Sequence, residues 1–151
     1  MARVELYVYD LSHGMARTMS LPVVGRQIDG IWHTSVVVYG FEWYYGNGIK
    51  AELPGQTIMG IPHQKIDMGV TEIPEDIFFE YIEELRQIYT FDKYHLLDNN
   101  CNTFSNAACE FLVGKSIPSQ ITNLPHDFLQ TPMGQMIRPY IDAMFNPRPP
   151  Q

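Results

Sequence analysis

The chain has 151 residues, of which 45% are apolar and 18% are charged, a composition typical of one globular domain and outside the range of disordered proteins. Its formal net charge of −7 argues against nucleic-acid binding, because no run of Lys and Arg is available to neutralise phosphates. No apolar stretch approaches the roughly 20 residues that cross a bilayer, and a charge interrupts the first one. We therefore expect no transmembrane segment, no signal peptide, and a cytoplasmic or also nuclear location.

Alternation of apolar and polar residues predicts short strands in the first half of the chain. The first strand comprises residues 4–9, where Val4, Leu6 and Val8 form the apolar face. Residues 15–30 have no clear period and are predicted to be irregular. The other predicted strands are 32–39 and 42–45, which form a hairpin ending at the turn 46–48, and the short segments 57–61 and 65–68.

The second half of the chain is predicted to be helical. Residues 74–89 carry an apolar stripe at helical spacing, with glutamates outside it. A connector, 90–98, leads to a central helix that begins at Cys101 and ends before a glycine. A last helix has Pro132 as its first residue, and Pro139 is expected to kink it. Strands followed by helices predict an α+β fold.

The segment 99–105, Asn-Asn-Cys-Asn-Thr-Phe-Ser, places Cys101 in the first turn of the central helix. Asn99 or Asn100 can accept a hydrogen bond from an unpaired N–H of that turn and so cap the helix. A thiol there lies at the positive end of the helix dipole, which favours the thiolate and predicts a lowered pKa. Two interpretations fit these residues: a nucleophilic cysteine, or a small half-buried residue at an ordinary helix start.

The two cysteines of the chain are not expected to form a disulfide. Cys101 and Cys109 are eight residues apart on one predicted helix, a separation of about 12 Å at about 1.5 Å per residue. A disulfide requires Cα atoms within about 7 Å. Two unpaired thiols are typical of a reducing compartment such as the cytosol.

None of the five histidines lies at a recognised metal-ligand spacing from another histidine or a cysteine, so we expect no metal and no cofactor. His33 differs from the other four because it opens the most strongly β stretch, directly after Trp32. A histidine on a strand that faces a cysteine at a helix N-terminus forms the imidazolium–thiolate pair of thiol hydrolases. The alternative is a hydrogen-bonded histidine of the core.

Two motifs in the chain resemble those of a known family. Residues 30–35, Gly-Ile-Trp-His-Thr-Ser, and residues 99–106, Asn-Asn-Cys-Asn-Thr-Phe-Ser-Asn, resemble the PPPDE family of permuted papain-fold peptidases, which includes the deSUMOylating isopeptidases. The match runs in order from about residue 4 to residue 144. The histidine precedes the cysteine, the reverse of the papain order. Three further segments also resemble the family: 8–12, 114–118 and 131–135.

The resemblance implies a permuted papain-like fold, with a small antiparallel sheet packed on helices in one domain, 1–146, followed by a flexible Pro-rich tail, 147–151. It implies Cys101 as the nucleophile, His33 as its general base, and the Cys101 backbone N–H as an oxyanion donor. The substrates it implies are SUMO-conjugated proteins, cleaved at the bond between modifier and target lysine, or acylated proteins, from which palmitate is removed. It also implies a homodimer with the active-site groove near the interface.

Papain-like enzymes place a glutamine six residues before the cysteine, where its amide helps to hold the oxyanion. In this chain that position is His95, which can donate from a ring N–H and is therefore a candidate oxyanion donor. The alternative is that His95 merely follows Tyr94 on the surface. No third triad member is evident, because Asn100 and Asn102 are assigned to capping and to setting the loop. The predicted site is therefore a Cys–His dyad.

A rival interpretation from a different class is a catalytically idle binding module that keeps the fold and holds a partner with its Met-rich C-terminal helix. The intact pair of His33 and Cys101 argues against this interpretation. Among enzymes, the same dyad can cleave an amide or a thioester. The sequence therefore predicts an isopeptidase, with a protein S-depalmitoylase as the alternative.

Overall fold

A five-stranded antiparallel sheet forms the centre of the protein in the computed structural model, which describes residues 1–145. The spatial strand order is β4-β3-β2-β1-β5, so β1 lies between β2 and β5. Residue 146 and the tail predicted at 147–151 lie outside the described residues. The strands are β1 (Ala2–Asp10), β2 (Trp32–Val38), β3 (Phe41–Gly46), β4 (Gly48–Glu52) and β5 (Gln64–Thr71).

Six helices accompany the sheet within the described part of the chain, and the predicted α+β fold is confirmed. No helix within residues 1–145 is both long and apolar enough to cross a bilayer. Pro139 lies inside the last helix, which continues beyond it. The helices are α1 (Met15–Val24), α2 (Glu75–Leu85), α3 (Cys101–Val113), α4 (Ser119–Thr122), α5 (Leu124–Leu129) and α6 (Pro132–Phe145).

The pleat of β1 divides its side chains between two environments, as its alternation predicts. Val4, Leu6 and Val8 are buried in the main core, which lies between the sheet, α2 and α3. Tyr7 and Tyr9 lie on the opposite face, in a smaller apolar cluster with Val37. Both faces of the central strands are therefore covered.

Three predicted segments differ from the structure. Residues 15–30 contain α1, which the sequence conceals because Pro22 lies inside it and most of its apolar side chains are exposed. The segment 57–61 is not a strand. One edge of the sheet is formed instead by β4, which was not among the predicted strands and which pairs with β3 despite its charged residues. Helix α2 ends at Leu85, and turns carry the chain on to residue 89.

We expect Phe78→Ala to destabilise the protein far more than Phe79→Ala. Phe78 is completely buried and packs against Trp43 with ring centroids 5.3 Å apart, whereas its neighbour Phe79 is 38% exposed. Truncating a buried phenylalanine leaves a cavity and costs about 3–5 kcal/mol. Urea unfolding of the two variants measures the difference, and equal losses would contradict the assignment of this core.

Candidate active site

Helix α3, which carries Cys101, begins with a complete capping box. Asn100 Oδ1 accepts hydrogen bonds from the backbone N–H groups of Asn102 at 2.9 Å and Thr103 at 3.2 Å. In return, Thr103 Oγ1 accepts the N–H of Asn100 at 3.1 Å. The prediction that an asparagine caps this helix is confirmed, and Asn100 is the cap.

Asn102 attaches the first turn of α3 to strand β2. Its Nδ2 donates to the carbonyl oxygen of Trp32 at 3.0 Å, and its Oδ1 accepts from Thr34 Oγ1 at 2.7 Å. Asn102 and Thr34 are both at most 5% exposed, so the hydrogen bond between their side chains is shielded from water, and the one to Trp32 is partly buried. They hold Cys101, the preceding residue, against β2.

The first turn of α3 meets the sheet where β2 and β3 separate. These two strands pair only between residues 36–38 and 41–43, whereas β2 stays paired with β1 as far as Trp32. In this stretch the backbone N–H of Thr34 lies close enough to the Cys101 thiol to oppose the rise in its pKa. A peptide N–H that would pair with a neighbouring strand in a continuous sheet is thus directed at the candidate nucleophile.

The Cys101 thiol is buried, and burial raises its pKa. Hydrogen bonds from the Thr34 N–H, the Tyr94 hydroxyl and the backbone N–H groups of Asn102 and Cys101 oppose this effect without outweighing it. The sequence predicts a lowered pKa from the helix dipole, but removal from water dominates in this environment. The thiol is therefore protonated at neutral pH.

The structure places the His33 imidazole on the face of β2 opposite to α3. Strand alternation directs Thr34 toward α3 and directs His33 to the other face, where its ring centroid lies 5.7 Å from that of Tyr9 and 5.9 Å from that of Tyr44. Burial lowers the pKa of His33 from 6.5 to about 4, so the ring is neutral. Among the contacts within residues 1–145, no hydrogen bond or ion pair joins His33 to Cys101.

A buried carboxylate that the sequence did not single out organises the His33 face of the sheet. Glu42 is completely buried, and its Oε2 accepts hydrogen bonds from Tyr9 Oη at 2.6 Å and Ser35 Oγ at 2.5 Å. Its Oε1 accepts the N–H of Gly55 at 2.9 Å. Glu42 thereby fixes Tyr9, one of the two rings against which His33 packs.

His95 has a structural position that does not fit the predicted oxyanion role. Its Nδ1 accepts hydrogen bonds from the N–H groups of Leu97 at 3.1 Å and Asp98 at 3.2 Å, so the ring proton lies on Nε2. That nitrogen is 2.7 Å from Asp142 Oδ1 on α6. Because both ring nitrogens are engaged, His95 instead shapes the connector that leads to Cys101. The side chain is 1% exposed and is not a surface histidine either.

Arg138 completes a polar network with His95 that joins the connector to α6. Its Nη2 donates to Asp98 Oδ2 at 2.7 Å, and its Nε donates to Asp142 Oδ1 at 3.1 Å. Hydrogen bonds from His95 and then Arg138 lower the pKa of Asp142. The sequence predicts no metal site. Although ligand atoms of His95, Asp98 and Asp142 lie within 4.8 Å of one another, Arg138 already supplies a positive charge to both carboxylates.

Two cavities lie on either side of Trp32. One, of about 220 Å³, has Cys101 in its wall and is lined mainly by apolar side chains. The other, of about 710 Å³, contains Arg17 and His63, and the Trp32 and His63 rings lie 5.6 Å apart. Trp32 and Leu11 line both. The other apolar residues of the smaller cavity are Ile28, Ile31, Leu96, Leu97, Leu124, Pro125, Phe128 and Ile137.

Comparisons with known proteins agree with the motifs. The model of the PPPDE putative peptidase domain matches residues 2–142. Desumoylating isopeptidase 1 of Xenopus laevis is 49% identical over 143 residues, which cover 93% of this chain and 85% of that protein. The human desumoylating isopeptidase 1 is 48% identical with the same coverage. The DeSI-like protein sdu1 of Schizosaccharomyces pombe is 30% identical over 135 residues, covering 81% of this chain and 63% of that protein.

We expect the two cysteines of the ligand-free protein to react slowly with iodoacetamide at neutral pH, with Cys101 ahead of Cys109. Both thiols are unpaired, as predicted, but burial raises the pKa of Cys101 and raises that of Cys109 to about 12. Hydrogen-bond donors surround only the Cys101 thiol. Because burial still raises its pKa, its labelling rate should rise only above the free-thiol value of about 8.5. Mass-resolved labelling tests this order, and rapid modification at about pH 6, below that free-thiol value, would contradict it.

The neutral His33 makes stability dependent on pH. Because its pKa is lowered to about 4 from 6.5, the unfolded chain binds more protons than the folded protein between these values. Its contribution is fully present above about pH 6.5 and is lost as the pH falls toward 4, by about 2 kcal/mol between about pH 7 and about pH 5. Urea unfolding of His33→Gln should show a correspondingly flatter pH dependence than wild type. An identical dependence in both proteins would contradict the buried neutral state.

Proposed function

Because this chain belongs to the PPPDE peptidase family and is a cysteine peptidase of papain-like fold, we propose that it is an isopeptidase that cleaves a SUMO-type modifier from a target lysine. The proteins named desumoylating isopeptidase 1 are nearly half identical to it over 93% of its length. The identity of the modifier and the use of a Cys–His dyad for catalysis are both part of this proposal.

The observation that carries the proposal is the surroundings of Cys101. The thiol lies at a capped helix N-terminus, in the wall of a cavity, with N–H and O–H donors directed at sulfur. A thiolate in this position is stabilised by the donors that also suit the oxyanion of acyl transfer. A purely structural cysteine needs neither a cavity nor these donors.

In the proposed mechanism His33 takes the Cys101 proton when substrate is bound. The two side chains belong to opposite faces of β2 but lie next to the same separation between β2 and β3, because Thr34 contacts the thiol and His33 contacts Tyr44 of β3. Catalytic hydrogen bonds are often absent in ligand-free enzymes and form in the complex. The reaction therefore requires the imidazole to turn toward this opening.

The chemical steps then follow those of a thiol hydrolase. The Cys101 thiolate attacks the carbonyl carbon of the isopeptide, and the π electrons of the carbonyl move onto its oxygen. The tetrahedral intermediate collapses, and the ε-amine of the target lysine leaves with the proton from His33. Water then hydrolyses the thioester, which regenerates the thiol and gives the modifier a free carboxylate.

Protein S-depalmitoylation is the second candidate function, and the lining of the Cys101 cavity favours it. The walls of this cavity are mainly apolar, which suits a fatty acyl chain as well as the aliphatic part of a lysine. A thioester needs less assistance than an amide, because a thiolate is a better leaving group than an amine.

We also propose that the chain forms a homodimer. Three apolar side chains that line the Cys101 cavity, Leu11, Ile31 and Leu96, are 41–43% exposed. A second copy that covers them would bury apolar surface next to the active site. Light scattering coupled to gel filtration measures the mass, and a monomer at all concentrations would exclude this arrangement.

The proposed function predicts that Cys101 forms an adduct with SUMO carrying a C-terminal vinyl sulfone, and that Cys101→Ser does not. His33→Ala should lower hydrolysis of a SUMO–lysine isopeptide about 10²- to 10⁴-fold, the usual contribution of a general base. His126→Ala, at an exposed histidine, is the matched control and should act as wild type.

Three results would change this assignment. Turnover of a folded His33→Ala protein within about tenfold of wild type would remove His33 from the mechanism. Cleavage of a palmitoylated peptide without cleavage of the isopeptide would favour the thioesterase. Neither an adduct nor any turnover would leave the binding module as the better interpretation.

A further inference from the structure

We propose that the hydroxyl of Tyr94 is a catalytic side chain that donates a hydrogen bond to the oxyanion of the tetrahedral intermediate, together with the backbone N–H of Cys101. This inference rests on the proposed function and adds a catalytic residue to it. Tyr94 lies in the connector between α2 and α3, directly before His95.

The structure holds Tyr94 firmly beside the thiol. Its ring contacts Tyr45 with centroids 5.0 Å apart, and Tyr45 Oη in turn donates to the carbonyl oxygen of Thr90 at 2.5 Å. On its other side, the hydrogen-bonded bridge between His95 and Asn99 fixes the backbone. Tyr94 and Cys101 line the same cavity, and the Tyr94 hydroxyl and the thiol are close enough for each to shift the pKa of the other.

During acyl transfer the Tyr94 hydroxyl gains a second possible acceptor, which is the carbonyl oxygen of the substrate. When Sγ bonds to the carbonyl carbon, its electron pair is used in the new bond, and negative charge develops on the carbonyl oxygen two bonds from sulfur. A donor that contacted the thiolate is then close to the oxyanion, where a hydrogen bond of about 2.7–3.1 Å stabilises the transition state. Tyr94 keeps its proton throughout.

Two other side chains near Cys101 are committed elsewhere. Both ring nitrogens of His95 are engaged, Nδ1 with backbone N–H groups and Nε2 with Asp142. The amide of Asn102 donates to the carbonyl oxygen of Trp32. Tyr94 therefore takes the place that the sequence suggested for His95, one residue earlier in the chain.

The protonation state of Tyr94 suits a donor. Burial raises its pKa well above the ordinary value, and the neighbouring Cys101 raises it further. The hydroxyl therefore remains protonated over the whole range in which the enzyme would work. A donor that is fixed, shielded and always protonated needs no reorganisation during the reaction.

The test compares Tyr94→Phe with Tyr81→Phe, which removes a hydroxyl whose acceptor is the carbonyl oxygen of Ala107 at 3.3 Å and not the thiol. Tyr94→Phe should lower kcat for the SUMO–lysine isopeptide about 10²-fold or more, as for other oxyanion donors, and leave KM unchanged. It should weaken the hemithioacetal with a SUMO aldehyde by a similar factor. Tyr81→Phe should change neither value by more than about tenfold, well below the loss of a donor.

Alkylation by iodoacetamide separates this role from activation of the thiol, because it forms no oxyanion. Labelling of Cys101 should fall much less than kcat in Tyr94→Phe, and an equal fall would overturn the inference.

If Tyr94→Phe does not fold, a variant with 3-fluorotyrosine at position 94 replaces it, because this residue keeps both the ring and the hydroxyl. It should retain the aldehyde adduct, and loss of that adduct would likewise overturn the inference. Wild-type turnover with an equally active Tyr94→Phe would overturn this inference alone, whereas an inactive wild type would remove the proposed function with it.

Discussion

The attachment of α3 to β2 through Asn102 is the constraint on which the site depends. One amide side chain satisfies a backbone carbonyl and a threonine hydroxyl of the strand, with the first bond partly buried and the second buried. Breaking either one leaves a polar group unpaired away from water, at a cost of about 1–3 kcal/mol. The position of Cys101 relative to β2, and hence its contact with Thr34, follows from this attachment. The helix dipole acts only on a thiol that is already held there.

The protonation states of the two candidate catalytic groups share one physical cause. Removal from water raises the pKa of Cys101 and lowers that of His33, so both favour their neutral forms. A neutral thiol and a neutral imidazole on opposite faces of β2 form a resting state of low reactivity. In the proposed mechanism, substrate binding supplies the free energy that brings them together and separates their charges, which limits proton transfer in the absence of substrate.

Features set by neighbours in sequence could be predicted, whereas those set by distant contacts could not. The capping of α3 follows from Asn100 and the helical period, and the faces of β1 follow from its alternation. In contrast, the contact of Tyr94 with Cys101 depends on how the connector folds, and the role of Asn102 depends on a strand about 70 residues away. The direction of the thiol pKa shift was predicted wrongly, because the helix dipole follows from neighbouring residues whereas burial depends on distant ones. Strand β4 was missed because an edge strand needs no apolar face.

The position of the Trp32 indole depends on the absence of a side chain at Gly30. A Cβ there would meet the six-membered ring of the indole at 2.4–2.6 Å, so even alanine would force the ring to move. Because Trp32 forms part of the wall of both cavities, any such movement changes the shape of both. The two volumes are therefore not independent. A molecule shaped to fill one of them also determines how bulky a molecule the other can accept.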